Sequence, residues 1–127
     1  MVGNGLIDTM SATHIIEDDI LYITIKPDAV IELEDMEENI RLRREIQHEK
    51  PILVLLDIRN LAEISKEARK YGAEDKVTKL NIAMAVITGN LTTKLIANFF
   101  IKFNKPKTPT RMFSSYENAV TWLNGFK

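Results

Sequence analysis

The sequence predicts an α/β domain in which helices pack on a mixed sheet, and three observations predict it. Two apolar runs, Ile52 to Leu56 closed by Asp57 and Ile82 to Ile87 followed by Thr88, Gly89 and Asn90, contain no polar residue. A strand of that kind is buried on both faces, as inner parallel strands are. The segments around these runs carry apolar residues at helical spacing. Two β-rich stretches at the start, separated by acidic residues, supply an antiparallel hairpin ahead of the parallel strands. The predicted order is ββαβαβαβα in one domain, since 127 residues at 45% hydrophobic suit a single core.

Residues 1–12, with Gly3, Asn4 and Gly5 among scattered apolar side chains, repeat at neither period and read as a flexible extension. The domain itself is expected from Thr13 to Lys127. His14, Ile15 and Ile16, then Ile20 to Lys26, form the hairpin, with Glu17, Asp18 and Asp19 as its turn. In the second strand Leu21, Ile23 and Ile25 alternate with Tyr22, Thr24 and Lys26, so one face meets the core. Pro27 ends the ladder.

From Glu32 to Gln47 the stripe Leu33, Met36 and Ile40 marks a helix. Acids fill its first turns, and Arg41, Arg43 and Arg44 come later, as the helix dipole favours. Leu42 and Ile46 lie off that stripe, which implies either a wider buried face or apolar surface for a partner. Pro51 separates this helix from the first inner strand. Ser65 can cap a helix beginning at Lys66. Gly72 weakens that helix, and Ala73 to Leu80 resumes it. Leu91 to Phe103 is a nearly all-apolar helix: Leu95, Ile96, Phe99, Phe100 and Phe103 form a broad stripe, and Ile101 adds to another side. After a stiff loop from Lys105 to Pro109, Thr110 to Phe113 is a short strand. Ser114 with Glu117 reads as a capping box for a last helix, Tyr116 to Leu123, which turns Ala119, Val120 and Leu123 inward.

Composition excludes several functions. Seventeen basic against eighteen acidic residues leave a net charge of -1, no field for a polyanion, so nucleic acid is not an expected partner. The absence of cysteine removes thiol nucleophiles, thiolate metal sites and disulfides. No window reaches the roughly 18 apolar residues of a membrane span, and the first residues lack the basic start of a signal peptide, so a cytoplasmic protein is expected. His14 and His48 have neither His-x-x-x-His nor Glu-x-x-His spacing, and neither a metal nor another cofactor is expected.

Asp57 ends an inner strand, the place where open α/β sheets gather ligand or catalytic groups, and Arg59 is placed to pair with it structurally. Gly89 and Asn90 form a strand-to-helix turn whose amides, with Thr92, Thr93 and Lys94 nearby, could hold an anion. An ordinary Asn90 cap is the simpler account, and the spacing of a phosphate loop is absent. No nucleophile, base and orienting group fall together, so the chain reads as non-enzymatic.

The stretch PILVLLDIRNLAEISKEA, followed by NIAMAVITGN, an amphipathic helix and MFSSYENAVTWL, resembles the SpoIIAA-like or STAS class, named for sulphate transporters and anti-sigma-factor antagonists. The ending also resembles bacterial SpoIIAA-like proteins grouped with the CRAL-TRIO lipid-binding fold. In the antagonists, the loop after the inner strand carries Asp-Ser-Ser-Gly, whose serine a partner kinase phosphorylates. Here Ser65, Lys66, Glu67 and Ala68 occupy that region. The matching serine position falls near Lys66 or Glu67, which leaves Ser65 as the candidate phosphorylation site, one or two positions early, with a simple N-cap as its ordinary role.

The resemblance implies a protein-interaction or regulatory module. The excess apolar surface of Leu95, Phe99, Phe100, Ile101 and Phe103 implies that a second copy covers it. The alternative is a small apolar-ligand or lipid-binding module that uses the cleft beneath the Phe99 to Phe103 helix, with Lys102, Lys105, Lys107 and Arg111 near any anionic headgroup.

Overall fold

The computed structural model describes residues 6–127. Strands β1 (Ile7–Asp8), β2 (Ala12–Glu17), β3 (Ile20–Ile25) and β4 (Val30–Ile31) precede helix α1 (Leu33–Gln47). Then come β5 (Ile52–Asp57), β6 (Glu63–Ile64), α2 (Lys66–Gly72), α3 (Asp75–Thr78), β7 (Asn81–Ile87) and α4 (Leu91–Phe99). A π-helical turn (Phe100–Asn104), β8 (Thr110–Phe113) and α5 (Tyr116–Asn124) complete the chain. Six strands form one sheet in the order β1-β2-β3-β5-β7-β8, and β4 pairs with β6 in a separate two-stranded ribbon.

The predicted parallel centre is present. β3, β5, β7 and β8 run parallel, while β1 and β2 extend the sheet antiparallel at one edge. The side-chain alternation of the inner strands feeds two different layers. Leu53, Leu55, Ala83, Ala85 and Ile87 pack with Ala119 and Leu123 of α5 on one face. Val54, Leu56 and Val86 face the opposite layer, where Met36 and Ile46 of α1, Ala68 of α2, and Ile96 and Ala97 of α4 cover them. One helix therefore seals one side, and several share the other. Ile46, off the stripe, packs half-buried against this layer, so the covered face of α1 extends beyond Leu33, Met36 and Ile40.

The N-terminal extension is corrected from Ile7 onward. Ile7 pairs with His14 and Asp8 with Thr13, and Thr9 N donates to the Ala12 carbonyl at 2.9 Å. The remainder of that expectation, residues 1–5, lies outside the described residues. The hairpin turn is also shorter than expected. Glu17 stays in the strand opposite Ile20, while Asp18 and Asp19 take φ of 50° and 65°, the left-handed pair that lets a two-residue turn follow the strand twist.

Two further boundaries move. Ser115, not Ser114, caps α5, its hydroxyl accepting from Asn118 N at 3.2 Å; two consecutive serines made the choice ambiguous. The apolar helix after β7 is α-helical only to Phe99 and then widens into the π-helical turn, which ends at Lys105 in the left-handed region with φ of 49°. Among the described residues no helix is long and apolar enough to cross a membrane.

Candidate functional site

The carboxyl edge of the sheet brings together four of the residues singled out in the sequence. Asp57 is buried, and its two oxygens accept from Arg59 N at 3.0 Å, Arg59 Nε at 3.1 and 3.2 Å, Arg59 Nη2 at 2.8 Å and the Tyr116 hydroxyl at 2.8 Å. Burial alone would raise the Asp57 carboxyl, but the bonds from Arg59 and Tyr116 outweigh it and hold the group below the usual carboxylate range. Arg59 also lies 5.3 Å from the Tyr116 ring centroid. The arrangement ties the end of β5 to the start of α5. It leaves Asp57 little capacity to accept a substrate proton, because both oxygens are already engaged.

Gly89 belongs to this cluster for a steric reason. A Cβ there would stand 3.0 Å from Cγ of Arg59, so glycine lets the turn pass against the arginine stem. The turn amides are occupied from within. Gly89 N and Asn90 N donate to Thr93 Oγ1 at 3.0 and 3.2 Å, and Thr93 N donates to Asn90 Oδ1 at 2.8 Å. That reciprocal cap uses the groups an anion would need, so the anion reading of Gly89 and Asn90 gives way to the cap. Ser65 likewise caps α2, its Oγ accepting from Ala68 N at 3.0 Å.

The apolar helix splits its stripe. Ile96, Ala97 and Phe100 turn toward the sheet and line a cavity of about 130 Å³. Leu91, Leu95, Phe99 and Phe103, four residues apart, lie on the other side at 72%, 59%, 42% and 70% exposure. Phe99 and Phe103 stack with centroids 4.6 Å apart, and the Arg69 guanidinium sits 4.5 Å from the Phe99 centroid. Ile101 is half-buried.

The cavity lies beneath this helix, but of Leu95, Phe99, Phe100, Ile101 and Phe103 only Phe100 lines it, and its floor is one transverse row of the sheet. Register aligns His14 with Ile23, Ile23 with Leu56, and Leu56 with Val86, and all four line the space. Its roof includes Met36, Ile40 and Arg43 of α1 and Phe100. Most of the wall is aliphatic. The polar exceptions at the β2 end are His14 at 0% exposure, Arg43 at 2% and Asn39 at 9%.

The sequence reading takes His14 as a surface or packing histidine and Arg43 as a dipole-complementing base, although a pattern places each of them inside. His14 follows Ala12 and precedes Ile16 on the inward side of β2. Arg43 and Gln47 continue the Leu33, Met36, Ile40 stripe at the next two heptad steps, which places them on the buried face. Arg43 Nε donates to Gln47 Oε1 at 2.8 Å and Nη2 to Asn81 Oδ1 at 2.6 Å. Gln47 in turn donates to the Leu80 carbonyl at 3.0 Å. Burial pushes the Arg43 guanidinium down to about 10, with Arg44 adding to the shift, so it remains charged at neutral pH.

Neither ring nitrogen of His14 has a hydrogen-bond partner. Burial pushes this imidazole down to about 4; the Ile7 backbone and Asp8 favour the charged form, Arg43 opposes it, and burial dominates. The Ile7 group lies near enough to act on the ring without reaching bonding geometry.

The family model for a domain of unknown function (DUF7793) matches residues 14–127. The chain belongs to the DUF7793 family. None of the curated proteins matches it. Among solved structures, this DUF7793 domain is similar to an uncharacterized protein of the DUF3478 family with a SpoIIAA-like fold from Shewanella loihica PV-4. That protein is 21% identical with a TM-score of 0.63, covering 94% of this chain and 99% of the other. The fold is SpoIIAA-like, as the motifs around Asp57 and Trp122 implied.

His14 generates a stability prediction. Its folded pKa lies below the unfolded value of 6.5, so between pH 6.5 and about 4 the unfolded chain binds the additional proton and stability falls with falling pH. Denaturant unfolding from pH 7 to pH 4 is expected to lose up to about 3 kcal/mol through this group, and His14→Leu should remove most of that slope. An unchanged slope would place the acid sensitivity elsewhere.

Proposed function

We propose that this DUF7793 domain is a non-enzymatic SpoIIAA-like module that binds a small apolar ligand between its sheet and the layer formed by α1, α2 and α4. The observation that carries the reading is the cavity of about 130 Å³, walled mainly by aliphatic side chains. An apolar cavity of about 150 Å³ in another protein stays dry and takes up benzene, so this space is of the right order for a ligand of that size. Protein interiors are otherwise close-packed, and an unfilled core costs dispersion contacts that a ligand would restore. The saturation of Asp57 by Arg59 and Tyr116, and of the Gly89 turn by Thr93, supports a binding role over a catalytic one.

A second reading, which can hold together with the first, is self-association through α4. Leu91, Leu95, Phe99 and Phe103 form a continuous exposed stripe about 18 Å long at helical rise, and water disfavours such a stripe unless another surface covers it. A second copy presenting the same stripe would bury it symmetrically.

Thermal unfolding with benzene tests the first reading. At about ten times its dissociation constant, benzene should add about 1.4 kcal/mol and raise Tm by about 5 °C for a domain of this size. Ala97→Leu, which projects into the space, should abolish that rise and leave the fold intact. A parent whose Tm ignores benzene would contradict the reading. For self-association, light scattering at micromolar concentration should report a dimer that Leu95→Asp or Phe103→Asp splits without unfolding. A monomeric parent would contradict it.

A further inference from the structure

The binding reading leaves the chemistry of the ligand's polar end open, and the buried end of the cavity bears on it. Arg43 is charged, almost fully buried and bonded only to the neutral amide oxygens of Gln47 and Asn81. Among the described residues no carboxylate forms an ion pair with it. A buried cation without a counter-charge is costly even when partly hydrogen-bonded.

His14 adds an imidazole in the same wall with both nitrogens unpartnered, although buried polar atoms are nearly always satisfied. The remaining ionisable group of the wall, Arg69, is also basic, and the wall contains no acidic side chain. Asn39, also in the wall, is already engaged. It donates to Ser11 Oγ at 2.9 Å and to the Asp35 carbonyl at 2.8 Å, and accepts from Thr9 Oγ1 at 2.8 Å.

Resting on the apolar-ligand reading, we propose that the ligand is a small monocarboxylic acid whose carboxylate is held by the Arg43 guanidinium and a His14 ring N–H while its apolar body lies along Ile23, Leu56 and Val86. A carboxylate supplies the counter-charge that Arg43 lacks and the acceptor that the imidazole lacks, and a planar guanidinium matches its geometry. A neutral imidazole retains one N–H to donate. The cavity sets the size, a body of about six carbons. Recognition of this kind discriminates strongly against an uncharged analogue, because that analogue leaves the buried cation unpaired.

The test compares hexanoate with 1-hexanol, two six-carbon probes that differ in the charged head. Calorimetry on the parent protein at pH 7 should find hexanoate bound at least about tenfold more tightly, and the His14 ring nitrogen resonances should shift as hexanoate saturates. Arg43→Gln should reduce the preference to within about twofold; since it also breaks the bonds to Gln47 and Asn81, the parent comparison is the deciding one. If benzene and hexanol bind but hexanoate binds no more tightly, the carboxylate assignment is overturned and the apolar-ligand reading stands. Failure of all three probes overturns both. Tight hexanoate binding that leaves His14 unmoved places the carboxylate elsewhere and overturns the assignment as well.

Discussion

The two inner strands β5 and β7 have no polar face, and the rest of the molecule follows from having to cover them twice. Parallel neighbours on each side satisfy their backbone groups, but the side chains of Ile52–Asp57 and Asn81–Ile87 point alternately into two layers that must both exclude water. The first layer is met economically by α5, through Ala119 and Leu123. The second is shared among α1, α2, α3 and α4, which meet at angles that need not fill every volume between them. The cavity arises in that shared layer, where Phe100, Met36 and Ile40 approach the row Ile23, Leu56 and Val86 from different helices.

The distribution of polar groups follows the same division. On the α5 side, the buried carboxylate of Asp57 is fully committed to Arg59 and Tyr116, and the result is a latch between strand and helix. On the cavity side, a buried guanidinium stands in an apolar wall without a counter-charge, beside a buried imidazole whose nitrogens have no partner. An unpaired buried donor is destabilising in its own right, which is a cost that folding alone gives no reason to bear. The asymmetry between a saturated acid and unsaturated bases is what separates the structural cluster from the candidate binding site.

Much of this was legible in the sequence, for physical reasons. Burial on both faces produces an unbroken apolar run, so β5 and β7 stood out, and caps such as Ser65 and Asn90 follow from backbone groups that every helix start leaves free. The less legible parts have equally physical causes. β1 makes only two residue pairings, too few to show a period. The helix from Leu91 has so little polar surface that nothing in its spacing says whether Leu95, Phe99 and Phe103 or Ile96 and Phe100 face inward. A cavity is a matter of volume between elements, which periodicity does not report, yet Arg43 and His14 stood in phase with their apolar neighbours and could have been placed inside on that ground.

Xenon tests, without reference to any particular ligand or variant, whether the layer opposite α5 holds an apolar space that a guest can enter. In crystals held under xenon pressure, the account predicts a bound xenon atom between Val86 and Phe100, beneath α4. Xenon absent from that position, with the side chains of Met36, Ile96 and Phe100 closed over the row Ile23, Leu56 and Val86, would contradict it.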